Sequence, residues 1–294
     1  MDRNSTKVGM IGIGLMGHGI ARNLVSKGWT LQFFNRPGNQ PVQDLIELGA
    51  TAVEDLRTLA AANDVIILCV TGTPEVESIL LGDEGVLSAI RPGTTIIDCS
   101  TAVPASTEAI ARAVDALGSR FIDAAMTRTP LEAEQGRLNL LVGAEPAVLD
   151  EIRPLLDTFA ENVFHAGPVG AGHKLKLLHN FVSLGCVALI SEAAACAQKG
   201  GISAEILVDA LAKGGGYGAA LDRVSPFLLE GDPSRLKFVV RNAFKDLNYY
   251  HTMAEGQGCQ RHVAEGLQAA FGSLMDAGLG DAYVSTLSEQ FAKL

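Results

Sequence analysis

Residues 7–17 read Lys7-Val8-Gly9-Met10-Ile11-Gly12-Ile13-Gly14-Leu15-Met16-Gly17, and this stretch decides the fold of the 294-residue chain. Its first five residues favour a β-strand. A helical pattern then runs from Leu15 to Lys27 and ends at Gly28. A G-x-G-x-x-G between a strand and a helix predicts the phosphate-binding turn of a dinucleotide site. A glycine turn with a structural role only is the alternative.

The glycines of this turn have separate physical tasks. Gly12 makes the tight turn, Gly14 lets the backbone approach a pyrophosphate, and Gly17 lets helix and strand pack closely. The free N–H groups at the start of the helix then face the phosphates. We therefore expect cofactor contacts along the whole turn, from Gly12, Ile13, Gly14, Leu15, Met16 and Gly17.

The residues after the second predicted strand indicate which dinucleotide binds. Thr30–Phe34 is followed by Asn35-Arg36-Pro37, where an NAD-dependent protein would carry an acidic residue for the ribose. Asn35 can hydrogen-bond a ribose oxygen, and Arg36 can pair with a 2′-phosphate while it stacks on adenine. The sequence therefore favours NADP(H) over NAD(H). An ordinary surface arginine is the alternative.

Strands and helices continue to alternate to about residue 165. The further predicted strands are Asp64–Val70, Gly93–Asp98, Arg120–Asp123, Leu138–Val142 and Asn162–His165. Predicted helices separate them, and we interpret the strands as one parallel sheet. Short polar loops at the carboxyl ends of parallel strands are where cofactors bind in such sheets. We therefore expect the cofactor beside Val70, Thr71, Thr73 and Thr101.

The chain from Ala166 onward shows helical patterns only. The predicted helices there are a long one through Lys199, then Ser203–Lys213, Ala219–Leu229, Leu236–Ala254, His262–Ala277 and Asp281–Lys293. The sequence thus predicts an α/β protein. Its N-terminal Rossmann domain covers residues 1–166, and a C-terminal all-α domain covers residues 167–294, joined by the long helix.

The long helix opens with a polar stripe within Gly170-Ala171-Gly172-His173-Lys174-Leu175-Lys176-Leu177-Leu178-His179-Asn180-Phe181-Val182-Ser183. Residues three, four and seven apart share one face of a helix, so Lys176 aligns with His179, Asn180 and Ser183. Polar groups on a largely apolar helix usually have partners or a function. A lysine beside an amide and a hydroxyl can polarise and protonate a carbonyl oxygen. A solvated stripe on a surface helix is the alternative.

Composition excludes several classes of function. A net charge of −10 argues against nucleic acid and anionic membrane surfaces as partners. No uncharged apolar run reaches the roughly 18 residues that span a bilayer, and the N-terminus lacks a signal-peptide pattern. The five cysteines show neither paired nor metal-type spacing, which favours buried thiols in the cytoplasm. We expect no metal.

These motifs together resemble the β-hydroxyacid dehydrogenase family over nearly the whole chain. GIGLMGHGIARN at Gly12–Asn23 is similar to its cofactor motif, and DCSTAVP from Asp98 is similar to its D-x-S-T-x-x-P segment. Gly170–Asn180 resembles the catalytic motif G-x-G-x-x-x-K-x-x-N-N. By this resemblance Lys176 is the catalytic lysine and Asn180 its partner amide. Lys245 begins a segment similar to the family's K-D-L motif, whose lysine lies near cofactor and substrate.

Two departures from the family pattern concern the substrate. His179 replaces the first asparagine of the catalytic motif, as in 6-phosphogluconate dehydrogenase, but Ser183 stands where that decarboxylase has its acid. Thr127-Arg128-Thr129 replaces a segment of small residues that holds a carboxylate, and a similar Arg–Thr pair occurs in 3-sulfolactaldehyde reductase. A guanidinium suits sulfonate, phosphonate or carboxylate oxygens. The expected substrate-binding residues are Ser100, Thr127, Arg128, Thr129, His179 and Ser183.

The resemblance implies an oxidoreductase that moves a hydride between nicotinamide and a short acid. Arg128 would bind an anionic head group, unless it faces solvent or pairs with Glu132 or Glu134. A dehydrogenase for 3-hydroxy acids is the alternative within the family. Two competing functions are an imine reductase and a cofactor-binding scaffold or sensor without catalysis, and Lys176 argues against both. The family also implies a homodimer or homotetramer.

Overall fold

The computed structural model describes residues 1–293. The chain forms two compact units, Met1–Lys176 and Leu177–Leu294. The division falls ten residues after the boundary that the sequence suggested at residue 166, which stays a prediction. The first unit has two hydrophobic cores, and the second unit has one.

The first unit alternates strands with helices. Its strands are β1 (Lys7–Ile11), β2 (Thr30–Phe34), β3 (Thr51–Val53), β4 (Val65–Leu68), β5 (Thr95–Asp98), β6 (Arg120–Thr127), β7 (Leu138–Gly143) and β8 (Ala160–Gly167). Its helices are α1 (Gly17–Ser26), α2 (Gln43–Glu47), α3 (Leu56–Ala62), α4 (Thr73–Leu81), α5 (Pro104–Asp115), α6 (Pro130–Glu134) and α7 (Pro146–Leu156).

The eight strands form one sheet in the order β3-β2-β1-β4-β5-β6-β7-β8. Alternate residues of the central strands enter two different cores: Val65 and Ile67 pack in one, and Ile66 and Leu68 in the other. A strand buried on both faces has no polar side, which explains the continuous apolar runs in the sequence. The parallel strands β1 to β6 end at one edge, and the candidate residues that directly follow β1, β2, β4, β5 and β6 lie along that edge.

Two details of the sheet differ from the sequence prediction. β7 runs antiparallel to β6, with Thr127 opposite Asn139, so the sheet is mixed and not wholly parallel. The hydrophobic pattern of a strand does not depend on its direction, so the antiparallel orientation of β7 could not be predicted from the sequence. The short strand β3 was also missed, because Thr51–Val53 has three residues and its side chains are largely exposed.

The second unit is helical. After the long helix α8 (Ala171–Lys199) come α9 (Ala204–Ala212), α10 (Ala219–Glu230), α11 (Val240–Gly256), α12 (His262–Asp276) and α13 (Leu287–Lys293). Two predicted helices begin later than expected, because short 3₁₀ turns at Ser234–Leu236 and Val284–Thr286 precede them. An apolar core around Phe271, Leu184 and Leu247 holds these helices together.

Helix α8 is long and apolar enough to cross a membrane by length and composition alone. An 18-residue window in it has a mean hydropathy of 1.6, and 44% of that window is buried in the protein. The criterion applied to the sequence was stricter, because it required an apolar run without charged residues, and the chain contains no such run of sufficient length. Because core helices of soluble proteins meet the same criterion, this property is weak evidence for a membrane span.

Candidate functional site

The glycine turn between β1 and α1 has the shape of a phosphate cradle. Gly12 has φ +102°, and a Cβ atom there would lie 2.2 Å from the Cys69 carbonyl oxygen. A Cβ atom on Gly17 would lie 1.9 Å from the Gly12 oxygen, whereas one on Gly14 would meet no atom within 4 Å. The turn is therefore closed on the protein side and open at Gly14, where a pyrophosphate can approach.

Helix α1 begins without a side-chain cap or an acidic residue in its first turn. No side chain therefore occupies its first N–H groups, although His18 N donates to the Gly14 oxygen at 2.9 Å, and the helix dipole favours an anion at this end. In the rest of the turn, Ile13 is buried and accepts a hydrogen bond from Gln40 N at 2.7 Å, whereas Leu15 is exposed. The observed geometry fits the phosphates of a dinucleotide.

Asn35 and Arg36 lie directly after β2, and both are exposed. The backbone N–H of Asn35 donates to the Val53 oxygen at 2.7 Å, which fixes the start of this loop. The Asn39 amide donates to the Phe34 oxygen and closes the loop. The two side chains are thus carried on an ordered loop and remain accessible to a ligand.

The carboxyl ends of β4 and β5 are linked by the Ser100 hydroxyl. It accepts a hydrogen bond from Val70 N at 3.0 Å, and Ser100 N donates to Asp98 Oδ1 at 2.9 Å. The Thr73 hydroxyl accepts from Val103 N in the same way. Ser100 is buried, so its hydroxyl holds the two strand ends together in this structure. Thr71 and Thr101 are more accessible at the same edge.

Thr127 and Thr129 flank the end of β6, and both are engaged within the protein. The Thr127 hydroxyl accepts from the Asn139 amide at 3.1 Å. Thr129 forms a capping box with Glu132 at the start of α6. Burial acts to raise the pKa of Glu132, but the Thr129 hydrogen bonds outweigh it, so this pKa lies below its ordinary value.

Arg128 has the only positive φ angle, +83°, among the non-glycine residues of the described chain. For a residue with a Cβ atom, this left-handed conformation costs about 1–2 kcal/mol. The arginine thus occupies a backbone position that suits glycine. Such an outlier at a strand end points to a functional role.

The Arg128 guanidinium points along the sheet edge to β8. It donates to the Arg137 backbone oxygen and pairs with the Glu161 carboxylate. Arg137 shares the same carboxylate, with Nε 3.1 Å from Glu161 Oε1. The Arg128 hydrogen bond, followed by that of Arg137, holds the pKa of Glu161 below its ordinary value. The partner of Arg128 is therefore Glu161, and neither Glu132 nor Glu134 takes that position.

The first turn of α8 is attached to the sheet by the buried carboxylate of Asp123 on β6. Asp123 Oδ1 accepts from Gly170 N and Oδ2 from His173 N, each at 2.7 Å. A Cβ atom on Gly172 would lie 2.3 Å from the Leu141 oxygen, so only glycine permits this close packing. These contacts explain the G-x-G of the motif. They fix the turn that precedes Lys176.

A second buried carboxylate, Asp98 on β5, lies at the position paired with Asp123. His173 is also fully buried, and its Nδ1 lies 2.7 Å from the Thr107 hydroxyl. Burial raises the pKa of Asp98, and the charges of His173 and Asp123 act on it in opposite directions. The first turn of α8 therefore contacts side chains from β5, β6 and α5.

In the second unit, Asn180 on α8 and Asp246 on α11 are both buried. Asn180 Nδ2 donates to Asp246 Oδ2 at 2.6 Å, and Lys245 Nζ lies 3.0 Å from Asp246 Oδ1. His179 Nδ1 lies 3.0 Å from the Asn180 amide oxygen, while Ser183 is partly exposed one turn further on. The two motifs predicted in this unit are therefore connected by one polar network.

The predicted residues divide between the two units: those from Gly12 to Lys176 lie in the first, and His179, Asn180, Ser183 and Lys245 lie in the second. The structure also adds residues that sequence reasoning did not assign: Asp98, Thr107, Asp123, Glu161 and His173. An aspartate at the end of two successive predicted strands was a usable signal for Asp98 and Asp123. Nothing in the local sequence indicates Thr107 or Glu161. Within residues 1–293 no cluster of His, Cys, Asp or Glu could hold a metal ion.

A Rossmann-type sheet with this glycine turn, followed by a lysine-bearing helix and a helical unit, defines a pyridine-nucleotide-dependent oxidoreductase. Residues 7–167 match the family described as the NAD binding domain of 6-phosphogluconate dehydrogenase. Residues 170–289 match the family described as NAD-binding of NADP-dependent 3-hydroxyisobutyrate dehydrogenase. The chain belongs to the β-hydroxyacid dehydrogenase family and is an oxidoreductase acting on CH–OH groups.

Individual relatives agree with this assignment. The chain is 34% identical over 230 residues to 2-(hydroxymethyl)glutarate dehydrogenase of Eubacterium barkeri, which is 78% of this chain and 76% of that protein. It is 30% identical to 3-hydroxyisobutyrate dehydrogenase of Pseudomonas aeruginosa over 76% of this chain and 74% of that protein. A solved 3-hydroxyisobutyrate dehydrogenase of Salmonella typhimurium superimposes with a TM-score of 0.85 at 25% identity, covering 97% and 100% of the two chains.

Proposed function

We propose that this dehydrogenase uses NADP(H) and interconverts the carbonyl and hydroxyl forms of a short acid with a strongly anionic head group. The head group is a sulfonate, phosphonate or carboxylate. The observation that carries the proposal is the left-handed backbone conformation of Arg128. This arginine directly follows β6, within the Thr127-Arg128-Thr129 segment that is predicted to bind the substrate. The expected cofactor contacts are Gly12–Gly17, Asn35 and Arg36.

Lys176 is the proton donor for reduction and the acceptor for oxidation. When bound, the nicotinamide supplies or accepts the hydride. As the carbonyl is reduced, negative charge develops on its oxygen; the Lys176 ammonium stabilises that charge and gives up one proton to it. Asn180, the partner amide that the family motif implies, is held within the second unit by its hydrogen bond to Asp246. Thr127, Arg128 and Thr129 hold the acid group.

One observation favours a 3-hydroxycarboxylic acid without a tetrahedral head group as the second candidate. The Arg128 guanidinium already pairs with Glu161 and donates to the Arg137 oxygen. If that pairing persists with substrate bound, the threonine hydroxyls and backbone N–H groups hold a carboxylate alone. The named relatives, a 2-(hydroxymethyl)glutarate and a 3-hydroxyisobutyrate dehydrogenase, have carboxylate substrates in their names.

A substrate panel separates the two candidates. NADPH and NADH oxidation is measured with sulfolactaldehyde, a 2-oxoalkylphosphonate, tartronate semialdehyde, succinic semialdehyde and methylmalonate semialdehyde. Preference for the first two supports the anionic-head-group proposal, and preference for the last three supports the second candidate. Turnover of cyclic imines with none of the acids contradicts both.

Lys176→Ala tests the mechanism. We expect kcat to fall by about 10²–10⁴-fold, because general acid catalysis contributes that much. The dissociation constant of NADPH, measured by nucleotide fluorescence, stays the same. Near-normal turnover of this variant contradicts the assigned role of Lys176, and a complete lack of turnover in the wild-type protein supports a non-catalytic scaffold.

We also propose that the protein is a homo-oligomer in the cytoplasm. The exposed face of α8 supports self-association, since Leu178, Val182 and Leu189 are 46%, 62% and 68% exposed. Large apolar side chains aligned on one helix face are typical of an interface. Light scattering coupled to gel filtration tests this, and a monomeric mass at micromolar concentration contradicts it.

A further inference from the structure

Two fully buried polar atoms face each other next to the turn that precedes Lys176. Asp98 Oδ2 and His173 Nε2 lie 3.9 Å apart, and neither has a hydrogen-bond partner within residues 1–293. This distance exceeds that of a hydrogen bond. A buried polar group without a partner costs about 1–3 kcal/mol. A shorter distance between the two atoms, or a proton shared between them, would remove this cost.

The remaining polar atoms of both residues are satisfied. Asp98 Oδ1 accepts from Ser100 N, His173 N donates to Asp123 Oδ2, and His173 Nδ1 lies 2.7 Å from the Thr107 hydroxyl. The imidazole is thus fixed by its own backbone and by its other ring nitrogen. Only the Nε2 side can respond to a change in protonation.

The hydrogen-bond partners limit where the proton can lie. If His173 carries its proton on Nδ1, it donates to Thr107, and Nε2 presents a lone pair to Asp98 that only a protonated carboxyl can match. If the proton lies on Nε2, the Thr107 hydroxyl turns from the Val103 oxygen to donate to Nδ1, and Nε2 donates to the Asp98 carboxylate. One proton between Oδ2 and Nε2 satisfies either arrangement. The raised pKa of Asp98 is consistent with such sharing.

We propose that Asp98 and His173 are positioning residues for Lys176, and that one shared proton holds them together. His173 and Lys176 lie three residues apart on α8, so they belong to the same helical turn. Any rotation of the His173 turn moves the lysine with it. A misplacement of about 1 Å can cost about 10²-fold in rate. The inference rests on the proposed function, because it assigns Lys176 the proton transfer.

The test compares His173→Leu with His173→Gln and Thr107→Val. In His173→Leu we expect kcat to fall by about 10²-fold, with KM and the NADPH dissociation constant unchanged. Glutamine can place an amide N–H near the former Nε2 position, so His173→Gln should recover about tenfold of that loss. Thr107→Val releases the ring without altering α8 and should reduce kcat to an intermediate value.

Glu108→Gln is the matched control. Glu108 lies next to Thr107 on α5 and forms a half-exposed ion pair with Lys174, with 2.8 Å between Lys174 Nζ and Glu108 Oε1. It contacts the same turn of α8 without touching the buried pair. Its kcat and pH profile should stay at the wild-type values, whereas the pH profile of kcat should change shape in His173→Leu.

A readout independent of turnover separates this inference from the proposed function. The ¹³Cε signal of Lys176, labelled and assigned by comparison with Lys176→Ala, should shift in His173→Leu and return toward wild type in His173→Gln. If the wild-type protein reduces none of the panel substrates, the proposed function fails, and this signal still tests the positioning. An unchanged Lys176 signal, or a lower melting temperature with unchanged kcat per folded enzyme, overturns the inference. If His173→Leu does not fold, Thr107→Val decides by the same criteria.

Discussion

The amide nitrogen of Asn180 donates a 2.6 Å hydrogen bond to the carboxylate of Asp246, and both side chains are buried. These residues lie 66 positions apart in the sequence and belong to two separate motifs. The contact gives Asn180 a fixed orientation, since His179 engages its amide oxygen at the same time. Asp246 in turn positions Lys245 through their ion pair. A single carboxylate thus connects Asn180 and Lys245, two of the predicted site residues of the second unit.

Asp246→Ala should lower the free energy of unfolding by about 1–3 kcal/mol, because the buried Asn180 amide loses its acceptor. Urea denaturation monitored by circular dichroism measures this. Asp281→Ala is the control in the same unit, since it breaks only the exposed pair with Arg241. That variant should change stability by about 0–1 kcal/mol. Equal effects of the two substitutions would show that the buried contact contributes nothing specific.

Arg128→Gly should raise KM for sulfonate or phosphonate substrates by about tenfold or more, because a charge-assisted contact worth about 1.5–3 kcal/mol is lost. Its stability should change little, since glycine relieves the strain at φ +83° while the ion pair with Glu161 disappears. Steady-state kinetics and thermal melting measure the two effects.

Arg137→Gln is the control for this prediction, because Arg137 pairs with the same Glu161 carboxylate from an ordinary backbone conformation. It should leave KM unchanged. If both variants weaken substrate binding equally, the effect comes from the charge of the cluster, and Arg128 has no specific contact with the head group.

Arg36→Ala should weaken NADPH binding by about tenfold or more and leave NADH binding nearly unchanged, because only NADPH offers a 2′-phosphate to the guanidinium. Fluorescence titration with the two nucleotides measures the ratio of the dissociation constants. Arg57→Gln serves as the control, since Arg57 is an exposed arginine that pairs with Glu84. Equal weakening for both nucleotides contradicts the assignment of Arg36 to the phosphate.

The sequence predicted most of this architecture, for a physical reason. Strands buried on both faces require continuous apolar runs, and glycine is required at Gly12 and Gly17 because a Cβ atom there would lie 2.2 Å and 1.9 Å from a backbone oxygen. Local sequence patterns were therefore sufficient to predict the main features of the fold. They could not show that Arg128 pairs with Glu161, since this contact depends on how β6 and β8 are arranged around β7.

The same limit applies to the buried charges. Asp98 and His173 are 75 residues apart and belong to two different motifs, and neither motif indicates that the two side chains meet. Their proximity follows from the strand pairing that places Asp98 beside Asp123, which in turn binds the first turn of α8. The motif thus predicts Lys176 as the catalytic lysine, whereas the contact between His173 and Asp98 depends on the fold and has no signal in the local sequence.

His18 is expected to make stability depend on pH. It follows Gly17 on α1, with Nδ1 2.9 Å from Glu134 Oε1 and Nε2 3.0 Å from Asp44 Oδ1. Burial acts to lower the pKa of His18, but the hydrogen bonds and charges of the two carboxylates outweigh it, so this pKa lies above 6.5. Arg22 pairs with Glu134 as well, so a second cation shares one of the two carboxylates with His18.

The sign follows from the direction of that shift. A histidine whose pKa is higher in the folded state stabilises the fold fully below pH 6.5 and loses this contribution as pH rises through the raised pKa. The melting temperature of the wild-type protein should therefore exceed that of His18→Gln at pH 6, and the difference should shrink toward pH 9. His262→Gln is the control for the loss of a histidine side chain, because His262 is 85% exposed and its replacement should change the melting temperature little. A constant difference across the pH range would mean that His18 acts through packing and not through its charge.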